Sequence, residues 1–244
     1  MYYSYLIHCF LAASYVHLCK RNDPKLGECF TKTVYEIMPN LIKGIPEMDI
    51  PPIDPLEFSS IKIDTGNTGS VSLDIELLSG TASGLRNLKI ENLKATFGND
   101  GDNITFTGIL EVPQVNIEGT YKLNGKILLF ELNGQGHVSF NATDIRTDSV
   151  WRASTYLKKN KRHISLDKID YNDVKIKNIR VKFDNLFGPN NEVLTDTVNN
   201  AINDNVDNLR GELEPIIKET LIQVILQSFN RVYRLFTLDE LYLK

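Results

Sequence analysis

From Val193 to Phe236, apolar residues return every three or four positions: Leu194, Val198, Ile202, Val206, Leu209, Leu213, Ile217, Leu221, Val224, Ile225, Phe229 and Val232. Such a stripe marks a helix with one buried face. As a single rod, roughly 43 residues at 1.5 Å each would span about 65 Å. A compact domain of this size is only about 45 Å across, so the body is elongated or the helix bends. Pro215 places the expected kink, because its ring clashes with the carbonyl of Gly211. After Pro215 the stripe broadens through Ile216, Ile217, Leu221, Ile222, Val224, Ile225 and Leu226, leaving little polar face. A helix apolar around most of its girth has to be enclosed, and a curved sheet wrapped around it would do so.

The sheet is legible upstream. From Phe58 to about Asp184 the apolar period is two, interrupted by Gly and Asn. Ile104, Phe106, Leu110 and Val112 share one face of a strand, and Val115, Ile117, Tyr121 and Leu123 share another after Pro113. Asn124-Gly125 carries the signature of a tight hairpin. Lys126–Asn133 then reads as the returning strand, with Leu128, Phe130 and Leu132 on one face, Ile127 and Leu129 on the other, and cover on both. The alternation slips phase after Ile90, after Leu166, after Tyr171 and after Ile176. Each slip is either a β-bulge that bends a strand or a loop between shorter strands. Gly134-Gln-Gly136 lacks the strand-to-helix setting of a phosphate loop and reads as turn and bulge glycines.

Ahead of the strands, Phe30, Val34, Ile37, Met38, Leu41 and Ile42 predict a helix over 28–43, ended by Gly44 and Pro46. Residues 44–56 hold four prolines, Pro46, Pro51, Pro52 and Pro55, and read as a rigid extended connector. The run Leu6–Ala13 is too short to span a bilayer. With Ala12 and Ser14 as small residues before a cleavage site, it reads as a secretory signal over 1–14, although no Lys or Arg precedes it; a buried helix of a cytosolic protein is the other reading. The mature domain would be 15–244, a single unit released into an extracellular fluid. Removing the signal removes Cys9 and leaves Cys19 and Cys29, an even pair that reads as a structural disulfide, against two free thiols. Asn103 and Asn141 begin glycosylation sequons, and Asn103 follows the turn-like Gly98-Asn-Asp-Gly-Asp.

Composition narrows the chemistry. With 27 Lys and Arg against 31 Asp and Glu, the net charge of −4 argues against nucleic acid as a partner. Four His and three Cys leave little for a metal cluster, and no cofactor motif is present. His8, His17, His137 and His163 are scattered, and no Gly-x-Ser-x-Gly elbow occurs, so no catalytic residues are assigned and no enzyme is expected. Lys158-Lys-Asn-Lys-Arg162 reads as a solvated basic loop, with steering toward anionic membrane surfaces as the other reading.

Four segments in order resemble the insect takeout and juvenile-hormone-binding protein family. They are Cys19-Lys-Arg-Asn-Asp-Pro…Cys29; Gly44-Ile-Pro-Glu-Met-Asp-Ile-Pro-Pro-Ile-Asp-Pro-Leu56; Tyr121 and Gly125 with Asn133-Gly-Gln-Gly-His-Val-Ser-Phe140; and Asn185-Leu-Phe-Gly with Leu194, Asn199, Asn205 and Glu212-Leu-Glu-Pro215, leading into Asp239-Glu-Leu241. The resemblance implies an α+β fold of the tubular lipid-binding superfamily, a long apolar C-terminal helix wrapped by a highly curved antiparallel β-sheet. It also implies a secreted, haemolymph-like location, a link to circadian rhythm, and an internal tunnel for an elongated hydrophobic small molecule, a terpenoid such as juvenile hormone or a fatty acyl lipid. Moth hormone carriers are similar but have a second disulfide; no cysteine follows Cys29, so the chain looks closer to takeout.

Val34, Ile37, Met38 and Leu41 on the first helix and Val198, Ile202, Val206 and Leu209 on the last are the candidate tunnel walls, with Tyr121 offering a hydroxyl at one end. Taken singly, each wall residue reads first as core packing, and Tyr121 also reads as a strand tyrosine facing solvent. The expected function is a secreted carrier with a small-molecule partner and no stable membrane insertion. The alternative is an extracellular interaction protein whose tunnel is filled by its own side chains and whose partner is another protein.

Overall fold

Nine strands, four α-helices and a short 3-10 helix, Leu85–Asn87, make up a computed structural model that describes residues 17–46, 50–64, 71–98 and 101–243. The expected signal segment, 1–14, lies outside them. Strand β1 is Cys19–Lys20, and helix α1 is Leu26–Lys43, two residues longer at its start than the apolar spacing indicated. β2 (Leu56–Asp64), β3 (Val71–Ser83), β4 (Lys89–Phe97), β5 (Asn103–Ile127), β6 (Phe130–Lys158), β7 (Lys161–Lys175) and β8 (Asn178–Phe183) follow. They form one seven-stranded antiparallel sheet in the order β2-β3-β5-β6-β7, with β4 on β5 and β8 on β6. The sheet is not closed: β2 and β4 are its edges on one side, and β8 and β7 are its edges on the other. Helices α2 (Glu192–Asp204), α3 (Val206–Tyr233) and α4 (Leu238–Leu241) lead to β9 (Tyr242–Leu243), which pairs in parallel with β1.

The phase slips resolve into both of their possible origins. The slip after Ile90 is a bulge between Glu91 and Lys94, where Asn92 takes φ 53°. Two slips in β7 are bulges opposite Asp148/Ser149 and Arg152/Ala153, and the slip after Ile176 is the break between β7 and β8. The longest pairing also changes phase without a register shift. Val112 pairs Ile145 and Gln114 pairs Thr143, leaving Pro113 opposite Asp144, which has φ 51°. The inward residues of β5 therefore switch from Ile104 and Val112 to Val115, Tyr121 and Leu123. Each device adds twist and bends the sheet.

Three expectations are corrected. The β5–β6 turn is not at Asn124-Gly125: those residues continue β5, pairing Asn133 and Leu132, and the chain reverses at Leu128-Leu129. β3 lies on the other side of this segment, pairing Asp74 with Asn124 and Leu73 with Gly125, so cross-strand pairing overrides the local turn signal. The returning strand is thus not covered on both faces, and Leu129 is 89% exposed at the turn. Gly134 and Gly136 are not turn or bulge glycines either. They sit in regular pairing with Leu123 and Tyr121, and a Cβ on Gly134 would overlap the carbonyl oxygen of Asn185. They leave room for residues 184–186 to cross the sheet in backbone contact.

The C-terminal stripe is two helices and not one continuous rod. The break is at Asn205, whose side-chain amide donates to the Ala201 carbonyl at 2.8 Å and competes for the helix's own backbone bonds. Helix α3 runs on through Pro215. Val193 and Leu194 are exposed, and the buried face of α2 is instead Thr195, Val198, Asn199 and Ile202. Enclosure of α3 is also partial: Leu209, Thr220 and Val224 are buried, whereas Ile217, Leu221, Ile222 and Ile225 are half-buried and Phe229 is exposed.

What holds α3 in place is its position. It packs against β7 and against β2, edge strands on opposite sides of the sheet. The chain ends are tied beside it. Cys19 and Cys29 form a disulfide with Cα atoms 5.9 Å apart, which on a chain-entropy account contributes about 2–3 kcal/mol. Arg21 forms an ion pair with Asp239, and its backbone N–H donates to Leu243. Phe30, Phe97 and Tyr242 stack edge to face around this junction. Helix α1 reaches β4 so closely that a Cβ on Gly27 would overlap the Leu93 carbonyl oxygen.

Candidate functional site

Along β6 the apolar interior divides into three. At one end Leu132 and Val138 belong to a packed core with Ile61, Val71, Tyr121, Leu123 and Leu186, closed by Val198, Ile202 and Leu209. At the other end Trp151 and Ala153 join Ile104, Ile164 and Leu166, closed by Phe30, Ile225 and Tyr233. Between them lies a smaller cluster of buried Ala142, Ile176 and Ile179, whose neighbours Phe140, Ile145, Val174, Val206 and Ile217 are half-buried, with Val112 and Val115 buried at the same level of β5. This thin middle coincides with the phase change at Pro113 and Asp144, where the strands bend.

The nine candidate wall residues fall into groups. Tyr121, Val198, Ile202 and Leu209 are buried within the first packed end. Val206 belongs to the middle. Val34, Ile37 and Leu41 are half-buried and Met38 is buried, all on the second half of α1. The phenol oxygen of Tyr35 accepts a 2.7 Å hydrogen bond from the Ile90 backbone, and Ile90 pairs with Leu110. The second half of α1 therefore lies level with the middle of β5, on the opposite flank from β8.

Tyr121 faces neither solvent nor open space. Its hydroxyl donates to the Asp184 carbonyl at 2.7 Å, and its ring meets Phe183 at 5.0 Å. Burial raises the phenol well above its usual pKa, and the negative charge of Asp184 adds to the shift. The one donor of this side chain thus serves the crossing segment that Gly134 and Gly136 admit.

Side chains of another type, which the helical stripe did not reveal, position the helices. Asn199 donates to the Phe183 carbonyl at 2.8 Å and accepts from the Phe183 N–H at 3.0 Å. Asn203 repeats both bonds with Val181 at the same distances, and Asn230 forms the pair with Leu166 at 2.8 Å each. Each carboxamide stands in for a neighbouring strand and satisfies an otherwise open edge of β8 or β7. Asn199 and Asn203 are one helical turn apart, which is the only local signal of their shared role.

Elsewhere, Asp54 anchors the proline-rich connector. Its buried carboxylate accepts from the Arg86 side chain at 2.9 Å and from the backbone N–H groups of Arg86 and Gly84 at 2.7 and 3.1 Å. Burial raises its pKa, but the bonds from Arg86 and Gly84 outweigh that and hold it below the usual carboxylate value. Asn103 is exposed at the start of β5, whereas Asn141 is half-buried with its amide donating to Asn116 at 2.6 Å. Among the described residues no three His, Cys, Asp or Glu side chains are placed to hold a metal ion, and no helix is long and apolar enough to cross a membrane. A polar cleft of about 620 Å³ is lined by Lys62, Glu76, Lys122, Gln135 and Asn185.

Comparison with known proteins agrees with this geometry. The crystal structure of Epiphyas postvittana Takeout 1 matches with a TM-score of 0.67 and 20% identity, covering 94% of this chain and all of that one. The fold is takeout-like. The circadian clock-controlled protein daywake of Drosophila melanogaster is 23% identical over 229 residues, 93% of this chain and 86% of that protein. Its Drosophila yakuba counterpart is 26% identical over 194 residues, 76% of this chain and 73% of that protein. The sequence model of the haemolymph juvenile hormone binding protein family matches residues 4–243, and the chain belongs to that family.

Proposed function

We propose that this protein is a secreted carrier that holds one elongated hydrophobic molecule, a terpenoid such as juvenile hormone or a fatty acyl lipid, inside the curved sheet. One observation carries the reading. Between two packed ends, the inward apolar side chains Phe140, Ile145, Val174, Val206 and Ile217 keep water-accessible surface. Apolar area of that kind is costly to leave wet, at about 25 cal/mol per Å², and a lipophilic ligand would cover it. Membership of a family named for binding juvenile hormone supports a hydrophobic ligand, and a binding role over an enzymatic one. The disulfide and the apolar N-terminal run support release into an extracellular fluid through cleavage of residues 1–14, with 15–244 as one domain. Asn103, exposed, is the better placed of the two sequons for a glycan.

In this reading Val206 contacts the ligand, with Val34, Ile37, Met38 and Leu41 at the same level of the sheet. Tyr121, Val198, Ile202 and Leu209 close one end. The test is native mass spectrometry of protein taken from its own secretion, with displacement of a lipophilic fluorescent probe by terpenoids and fatty acids. A bound mass and displacement are expected. Protein that carries no lipid and takes up no probe would overturn the reading.

A further inference from the structure

The β6–β7 hairpin outruns the sheet that supports it. The first residue of β5, Asn103, pairs with Ser154, and the next bond on that side runs from the Thr155 N–H to the Asp102 carbonyl. Beyond this point Tyr156 pairs only with His163, Leu157 with Arg162 and Lys158 with Lys161. Lys159 and Asn160, with φ 48° and 63°, turn the tip as a two-residue loop. The result is a two-stranded finger, stiffened at its base by the Tyr156 ring stacked 5.7 Å from the buried His163.

Two features of the finger are unusual together. Leu157 is 71% exposed, with no neighbouring strand to cover it. Around it stand Lys158, Lys159, Lys161 and Arg162, four cations in five positions on a chain whose net charge is −4. Arg162 is paired with Asp102 at 3.3 Å, but Lys158, Lys159 and Lys161 have no ion-pair partner among the described residues. A solvated turn needs the lysines but not the leucine, and a protein-binding apolar patch needs the leucine but is weakened by three unpaired ammonium groups. An anionic lipid surface satisfies both. Ammonium groups sit at its charged headgroups, while a single aliphatic side chain reaches the acyl boundary.

We infer that residues 156–162 form a docking finger for anionic phospholipid membranes, binding reversibly at the surface without insertion of a helix. The finger projects from the end of the body built on Ile104, Ala153 and Ile164, so docking would present that end of the apolar interior to the bilayer. The inference does not depend on what the interior holds.

The test is co-sedimentation of the full chain with vesicles of phosphatidylcholine alone and of phosphatidylcholine with 30% phosphatidylserine, at low and high salt. Binding to the anionic vesicles only, falling as salt rises, is expected. Each lysine near such a surface is worth roughly fivefold in partitioning, so the Lys158→Glu/Lys159→Glu/Lys161→Glu variant should lose at least about 100-fold. Leu157→Ser should lose several-fold with its salt dependence kept, which a purely electrostatic loop would not show. Uptake of the lipophilic probe should be unchanged in both variants, which separates docking from ligand binding. No binding of the wild-type chain to anionic vesicles at low salt would overturn the inference. So would equal binding by both variants, or retention on heparin without binding to vesicles, which would make the finger a polyanion site instead.

Discussion

The side chain of Asn230 is bonded to both backbone groups of Leu166, 64 positions earlier, its amide donating to the carbonyl and its oxygen accepting from the N–H, each at 2.8 Å. One side chain thereby fastens α3 to the terminal strand of an open sheet. Asn230→Ala leaves a donor and an acceptor of β7 without partners where the protein excludes most water. The expected loss is about 2–4 kcal/mol by chemical denaturation, with faster amide exchange at Leu166 than at Ile104. Loss of stability without a local change in exchange would show that the bond pair does not hold the edge.

Asp54 predicts an acid-sensitive connector. Its folded pKa lies below the ordinary value of 3.8, so the unfolded chain binds more protons in the interval between the two values. The stabilisation is complete above pH 3.8 and is lost as pH falls through the depressed folded value. Asp54→Asn should cost about 1.5–3 kcal/mol at neutral pH and flatten this part of the acid-unfolding curve. An unchanged curve would remove Asp54 from the account.

Packed and accessible positions should respond in opposite ways. Ile202 is fully buried, and Ile202→Ala should cost about 2–5 kcal/mol while leaving probe affinity unaltered. Val206 is half-buried in the middle, and Val206→Trp should fill that space, abolishing probe uptake at little cost in stability. If Val206→Trp instead destabilises the protein as overpacking does, by about 1–3 kcal/mol, the interior is already full. The chain would then act as an interaction protein.

Tyr121→Phe removes one hydroxyl that is spent on the Asp184 carbonyl. A stability loss of about 1 kcal/mol is expected, with probe affinity unchanged, measured by thermal unfolding and fluorescence titration. A tenfold weaker probe with unaltered stability would assign the hydroxyl to the ligand.

These positions also show how far the sequence could be read. Alternation and its slips revealed a bent sheet, because a bulge shifts the apolar phase on its own strand, as at Asn92. The motif segments identified the family, and with it the helix-and-sheet arrangement. Positions decided by distant partners were invisible. Asn124-Gly125 is a strong local turn signal overridden by β3, and Asn205 gives no apolar cue that the stripe divides there. Asn230 looks like one more polar residue until Leu166 is placed beside it. The middle set was half legible: Val206 stood in the stripe, but its neighbours Phe140 and Ile145 come from β6 and Val174 from β7.

The edge strands β2 and β7 share no hydrogen-bonded ladder, and α3 packs against both. A ladder fixes strand spacing to about 4.8 Å and cannot stretch without breaking bonds. A seam made of side chains can slide and repack, and its cost rises gradually as contacts are traded. Where α3 meets those edges the girth of the body can therefore change by repacking of side chains, while every strand keeps its neighbours.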